Sequence, residues 1–155
     1  MPHIHELIDL TTNVLVVFKD KVLLRKHEKY NIWTGPGGHV ELHEDPNQAA
    51  IRETFEEVGL SITLVHPDFE IYDLGNQKYK ELVQPFSMNI HKINDTHQHL
   101  DCVYAAYCEN DQVVLESDSD QVRWFTKQEL LDFSEIGERQ LQLALRALEI
   151  VKACI

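Results

Sequence analysis

Residues Gly38 to Leu60, GHVELHEDPNQAAIRETFEEVGL, constrain this chain more than any other stretch. Gly38, Glu44, Arg52, Glu53, Glu56, Glu57 and Gly59 stand in the pattern G-x5-E-x7-R-E-x-x-E-E-x-G, with aliphatic Leu60 following. Asp45 before Pro46 marks a helix start, because a side-chain oxygen caps the first turn and proline fits the first helical position. Gln48 is spaced to close a capping box with Asp45. Gly59 supplies a left-handed stop after Val58. The expected helix is Pro46 to Val58, about three and a half turns.

On that helix Glu53, Glu56 and Glu57 fall at i, i+3 and i+4, so their carboxylates crowd one face. Ala50, Thr54 and Val58 form a neighbouring line and Ile51 with Phe55 another, giving the helix sides to bury. Like charges at these spacings destabilise a bare helix by roughly 0.2–0.5 kcal/mol per pair, and the dipole disfavours anions near the C-terminal end. The cluster is unfavourable unless a cation occupies it, and hard oxygen ligands suit Mg²⁺ or Mn²⁺ rather than zinc. Acidic helix faces are most often plain solvated surface. Seven specified positions at residue frequencies of roughly 4–10%, however, coincide by chance on the order of once in 10⁸ starting points, which rejects that reading.

The stretch resembles the signature box of the Nudix hydrolases at every charged and glycine position. Thr54 is the one departure, standing where that family usually has an aliphatic residue; it is small and β-branched, so it packs there without disturbing the metal site. The preceding Trp33-Thr34-Gly35-Pro36-Gly37-Gly38 also resembles the family's approach to the box. The resemblance implies an α+β fold, the Nudix-type α/β/α sandwich with a mixed β-sheet, with residues 1–155 as a single domain. It implies hydrolysis of a phosphoanhydride in a nucleoside diphosphate linked to a further group X. The carbonyl of Gly37 and the carboxylates of Glu53, Glu56 and Glu57 would hold the Mg²⁺ or Mn²⁺. Glu53 and Glu57 would serve catalysis directly, with Arg52 pairing with a box carboxylate. Glu44 would buttress the loop or a second metal. Arg25 becomes a phosphate contact, and His39 and His99 substrate contacts, with His43 another.

Along the rest of the chain, Val14–Phe18 and Val22–Leu24 are apolar runs of strand length joined by Lys19-Asp20-Lys21. Asn31–Gly38 reads as a glycine-rich loop, and Ser61–Val65 as a strand leaving the helix. Glu70–Leu74 is a further candidate strand, followed by a loop over Asp73–Glu81. Val83–His91 and His99–Cys108 read as antiparallel strands around Asn94-Asp95-Thr96. If the second strand already begins at His97, then His97, His99 and Asp101 share one face. The Nudix resemblance implies that a residue from this later part of the chain completes the metal site or supplies the base. With no glutamate between Glu81 and Glu109, these three inherit that role in competition with Glu53. Asn110–Asp120 reads as an acidic surface loop and Gln121–Phe125 as a last strand. Thr126 caps a short helix over Lys127–Leu131. A closing helix from about Gly137 packs Leu141, Ala144, Leu145, Leu148 and Val151.

The 155 residues suffice for one self-supporting core. A formal net charge of −12 argues against a nucleic-acid-coating surface or docking to an anionic membrane. It leaves a phosphorylated small substrate open, because bound metal and a few local cations reverse the field in a cleft. Cys102, Cys108 and Cys154 form no C-x-x-C pair, which indicates neither a zinc ribbon nor a disulfide scaffold. No signal pattern or long apolar run is visible, so a cytoplasmic protein is expected. The tail motifs associated with ADP-ribose, dinucleoside polyphosphate and NADH enzymes of the family do not match. A (d)NTP or related small nucleotide is left by elimination, and a homodimer is compatible with the fold. The alternatives are a non-catalytic nucleotide-sensing domain, which the complete carboxylate set opposes, and an isopentenyl-diphosphate-type isomerase, which lacks a cysteine near the box.

Overall fold

The computed structural model describes residues 4–27, 29–70 and 78–155. Its strands are β1 (Ile8–Phe18), β2 (Lys21–His27), β3 (Ile32–Thr34), β4 (Ile62–Val65), β5 (Ser87–Asn94), β6 (His97–Cys108) and β7 (Gln121–Thr126). Its helices are α1 (Pro46–Val58), α2 (Lys127–Asp132) and α3 (Glu138–Cys154). The strands form one mixed sheet in the order β3-β2-β1-β6-β4, with β5 also paired to β6 and β7 to β2. β1 and β6 run parallel from Ile8↔Gln98 to Val17↔Tyr107.

The run Val14–Val17 is buried throughout because the sheet is covered on both faces. Leu15 and Val17 join Leu24, Val103, Ala105 and Phe125 beneath Leu143, Ala144, Ala147 and Val151 of α3. Val14 and Val16 join Leu23, Tyr104 and Ala106 against Ala50 and Val58 of α1. Every second residue of β1 therefore reports which helix it meets.

β1 changes partners half-way along. Val16, Val17 and Phe18 pair with β2, whose next residues, Arg25 to His27, pair with β3 on that same edge. The abandoned edge of β1 is taken by the segment between β3 and α1. Thr12 N donates to Gly38 O at 2.8 Å, Val14 N to Pro36 O at 2.8 Å, and Val40 N to Leu10 O at 2.9 Å. The stretch expected to be loop thus contains a short strand and then a segment laid along the sheet.

α1 has the expected bounds. Asp45 caps it in a closed capping box with Gln48, and Gly59 ends it at φ 71°. Ala50, Thr54 and Val58 are buried as expected, whereas Ile51 and Phe55 are 43% and 58% exposed. The buried side instead turns through Glu53 and Glu57, so burial follows the carboxylates. Thr54 satisfies its hydroxyl by donating to Ala50 O at 2.8 Å. Of the other expectations, β5 begins at Ser87 rather than Val83, whose backbone is held on both sides by the Asn47 amide. β6 does begin at His97. Residues 71–77, which carry most of the candidate strand at Glu70–Leu74 and part of the Asp73–Glu81 loop, lie outside the described residues. The 110–120 loop is not all surface: Val114 N and Glu116 N donate to Val58 O and Glu57 O at the end of α1. In α3 the packed centre is Leu143, Ala144, Ala147 and Val151, with Leu141, Leu145 and Leu148 at its margin.

Gly59 tests this account of the helix stop. A methyl group there meets Val114 Cβ at 2.9 Å, on a backbone that L-residues rarely adopt. Gly59→Ala is expected to cost at least about 1–2 kcal/mol in urea denaturation; an unchanged midpoint would refute the account.

Candidate metal and substrate site

The site is built where α1 faces the segment laid along β1. Arg52 is its hub. Its guanidinium reaches Glu44 twice, Nε to Oε2 at 3.0 Å and Nη2 to Oε1 at 2.6 Å. It also donates to Glu53 Oε1 at 3.0 Å, Glu56 Oε2 at 3.1 Å and the carbonyl of His39 at 3.1 Å. Glu44 in turn accepts from Glu41 N at 2.9 Å. Arg52 therefore ties helix and loop into one unit, and its hydrogen bond holds the Glu44 carboxyl below the usual carboxylate range.

Glu53 and Glu57 are buried, at 3% and 6% exposure, while Glu56 stands half in solvent. Burial raises the Glu53 carboxyl against the opposing pull of Arg52. Burial likewise pushes Glu57 up to about 8, with Arg25 opposing and Glu53 adding to the rise. Gly38 makes the close approach possible, since a Cβ there lies 2.5 Å from the Glu53 carboxyl. The carbonyls of Pro36 and Gly38 both point at β1, so alternation along an extended chain turns the Gly37 carbonyl away from it.

Arg25, expected to contact phosphate, is engaged by the protein itself. It pairs with Glu57 and with Asp120, and all three side chains are nearly buried. Asp120 escaped the sequence reading because it is one of several acids in the 109–120 segment, with nothing in its spacing to separate it from surface charge.

His39 and His99 lie in an adjoining group on the α3 face of the sheet. His39 Nε2 is 3.3 Å from Asp9 Oδ2, and His97 Nε2 is 3.0 Å from the same oxygen. The His39 and His99 rings meet edge to face at 4.9 Å, and His97 and His99 at 5.4 Å. Burial, then the neighbouring histidines, lowers His99 to about 4, so it is neutral at pH 7. Asp101 accepts from Thr11 Oγ1 at 2.8 Å, and burial raises its carboxyl. His97, His99 and Asp101 do share a face, as their spacing implied, while His43 is exposed. Asp9 was missed, although polar residues at Asp9, Thr11 and Asn13 in an apolar strand were a visible signal.

The NUDIX domain family matches residues 9–145. The chain belongs to the Nudix family. A solved Nudix-family hydrolase from Clostridium perfringens is 33% identical, with a TM-score of 0.79 over 92% of this chain and 97% of that one. A Caenorhabditis elegans Ap4A hydrolase, 22% identical over 95% and 99% of the two chains, shares the fold at a TM-score of 0.67. Among curated relatives, an oxidized purine nucleoside triphosphate hydrolase from Danio rerio is 35% identical over 53% of this chain and 51% of its own. A probable DHNTP pyrophosphohydrolase from Lactococcus lactis is 32% identical over 70% and 59%. The chain thus spans little more than half the length of these curated relatives.

Nudix hydrolases need a divalent metal, and the donor set here fits one. Burial raises both the Glu53 and the Glu57 carboxyl, a desolvation penalty that a bound cation would offset. Among the described residues no helix is long and apolar enough to cross a membrane.

The Arg25 network predicts a stability effect remote from the box. Asp120→Ala leaves a nearly buried guanidinium with one carboxylate fewer, and is expected to cost about 3 kcal/mol by urea denaturation. A loss below about 1 kcal/mol would show that water replaces Asp120 freely.

Proposed function

We propose that this protein is a metal-dependent pyrophosphohydrolase that cleaves a phosphoanhydride in a (d)NTP or related small nucleotide, with Mg²⁺ or Mn²⁺. The observation carrying this reading is the convergence of Glu53 and Glu56 on Arg52, with Glu57 hydrogen-bonded to Glu53 and paired with Arg25, beside the turned-out Gly37 carbonyl. The activities for which the Danio and Lactococcus relatives are named support a nucleotide-type triphosphate substrate.

Glu53, Glu56, Glu57 and the Gly37 carbonyl would hold the ion. When bound, it supplies charge neutralisation at the phosphates and lowers the pKa of coordinated water. The chain's own residues do the rest. Glu53, buried and raised by burial, accepts the proton of the attacking water as its oxygen bonds to phosphorus and the bridging P–O bond breaks. Arg52 fixes the Glu53 rotamer and locks the loop to the helix, so the site is positioned before substrate arrives. Arg25 neutralises Glu57, and a substrate phosphate competes with Asp120 for its remaining donors. His39, next to Gly38, would touch substrate, with His99 edge-on to its ring.

Release of phosphate or pyrophosphate from (d)NTPs, oxidised (d)NTPs, ADP-ribose, NADH, dinucleoside polyphosphates and nucleotide sugars tests the reading. Selective turnover is expected, abolished by chelation, with Glu53→Gln lowering kcat by about 10²–10⁴-fold. Near-full turnover in Glu53→Gln would move the base to His97, His99 or Asp101. Tight nucleotide binding without turnover of any of these would replace the enzyme by a nucleotide sensor.

Gly38→Ala provides a second check on the same site. The added methyl displaces the Glu53 carboxyl, so turnover is expected to fall at least about 100-fold in a protein that still melts cooperatively. Retention of most activity would exclude Glu53 from the position described.

A further inference from the structure

We propose that Asp9, His39 and His99 form a second metal site, separate from the box carboxylates and suited to a transition ion such as Zn²⁺. One ligand atom from each lies within 4.8 Å of the others. His39 Nε2 and Asp9 Oδ2 are 3.3 Å apart. Zinc–ligand bonds of about 2.0–2.1 Å in a tetrahedron put neighbouring ligand atoms about 3.4 Å apart, so this edge already has the required length. His99, half-buried, meets His39 edge to face and supplies the third ligand atom.

The chemistry of the donors separates this site from the box. The box offers oxygen alone, which suits hard ions, whereas two imidazoles and a carboxylate suit Zn²⁺, Co²⁺ or Ni²⁺. Neutral imidazole is the ligating form. Asp9 is fully buried, and such a carboxylate is retained where a cation or several donors meet it. Its Oδ1 accepts from His5 N at 2.6 Å, while Oδ2 faces His97, whose other ring nitrogen lies 3.1 Å from Glu6 O. His97 thereby orients the carboxylate from outside the ligand set. The three ligands come from β1, from the segment that carries Gly37 and Gly38, and from β6. A bound ion would cross-link these elements two residues along the chain from Gly37. Three protein ligands leave a fourth position for water or a substrate group.

The test is made on a Glu53→Gln/Glu57→Gln protein, in which the box site is disabled and activity plays no part. Titration with Co²⁺ is expected to give one equivalent bound, with the intense visible d–d absorption of four-coordinate cobalt. His99→Ala should weaken binding at least about 100-fold and remove that absorption. His99→Cys should restore binding and add a thiolate-to-cobalt charge-transfer band, which a merely structural residue at 99 does not produce. His97→Gln should weaken binding by about 10–100-fold, the range for an outer partner. Absence of Co²⁺ and Zn²⁺ binding in the box-disabled protein, or binding with the same spectrum in His99→Ala, would overturn the proposal. If His99→Ala does not fold, the presence or absence of the charge-transfer band in His99→Cys decides.

Discussion

The change of partner along β1 is the constraint on which the site depends. Above Val16 the strand is paired with β2; below it, Thr12 and Val14 give their N–H groups to Gly38 and Pro36. A backbone edge left open inside a protein costs free energy, so something had to fill it. The chain fills it with a glycine-rich segment, whose side-chain-free backbone lies flat on one strand while receiving a carboxylate from the helix opposite. Gly38 touches β1 through its carbonyl and Glu53 through its missing side chain. The split in the sheet thus puts the backbone of Gly37 and Gly38 beside the carboxylates of the helix without burying an unpaired amide.

Arg52 and the helix caps then convert that placement into rigidity. α1 starts in a closed capping box and ends at a left-handed glycine, with both ends fixed locally. Between them Arg52 reaches Glu44 on the loop side and Glu53 and Glu56 on its own helix. The 110–120 segment covers the helix end, with Val114 and Glu116 donating to its last carbonyls and Asp120 paired to Arg25. Like charges that destabilise an isolated helix are tolerated here because loop, sheet and arginine hold them.

Legibility in the sequence follows locality. The caps, the bounds of α1, the carboxylate face and the strand character of Val14–Phe18 are set by residues within one or two turns of each other, and these were readable. The role of Arg25 was not, because its partners Glu57 and Asp120 lie 32 and 95 residues away. Exposure of Ile51 and Phe55 was misread for a related reason: an apolar stripe normally faces the core, and only the cleft explains why Glu53 and Glu57 were buried instead. Histidine roles were half readable. Alternation put His97 and His99 on one face, but Asp9, the group they gather round, sits on a parallel strand whose pairing no local pattern announces.

The charge balance connects these features. The chain carries a formal charge of −12, and the two arginines at the site are already committed, Arg52 to Glu44, Glu53 and Glu56, and Arg25 to Glu57 and Asp120. Two cations among five carboxylates leave the cleft negative whenever those groups are ionised. A polyphosphate is therefore repelled by the protein alone, and Coulomb repulsion is strongest in the least hydrated part of the cleft. Loss of hydration on burial separately raises Glu53 and Glu57. A divalent ion relieves both penalties together, since it lets the carboxylates ionise and gives the phosphates an attractive partner. For the proposed reaction, metal and nucleotide binding are coupled by this electrostatic balance: each would strengthen the other, and selectivity for the nucleotide would come from contacts beyond its phosphates.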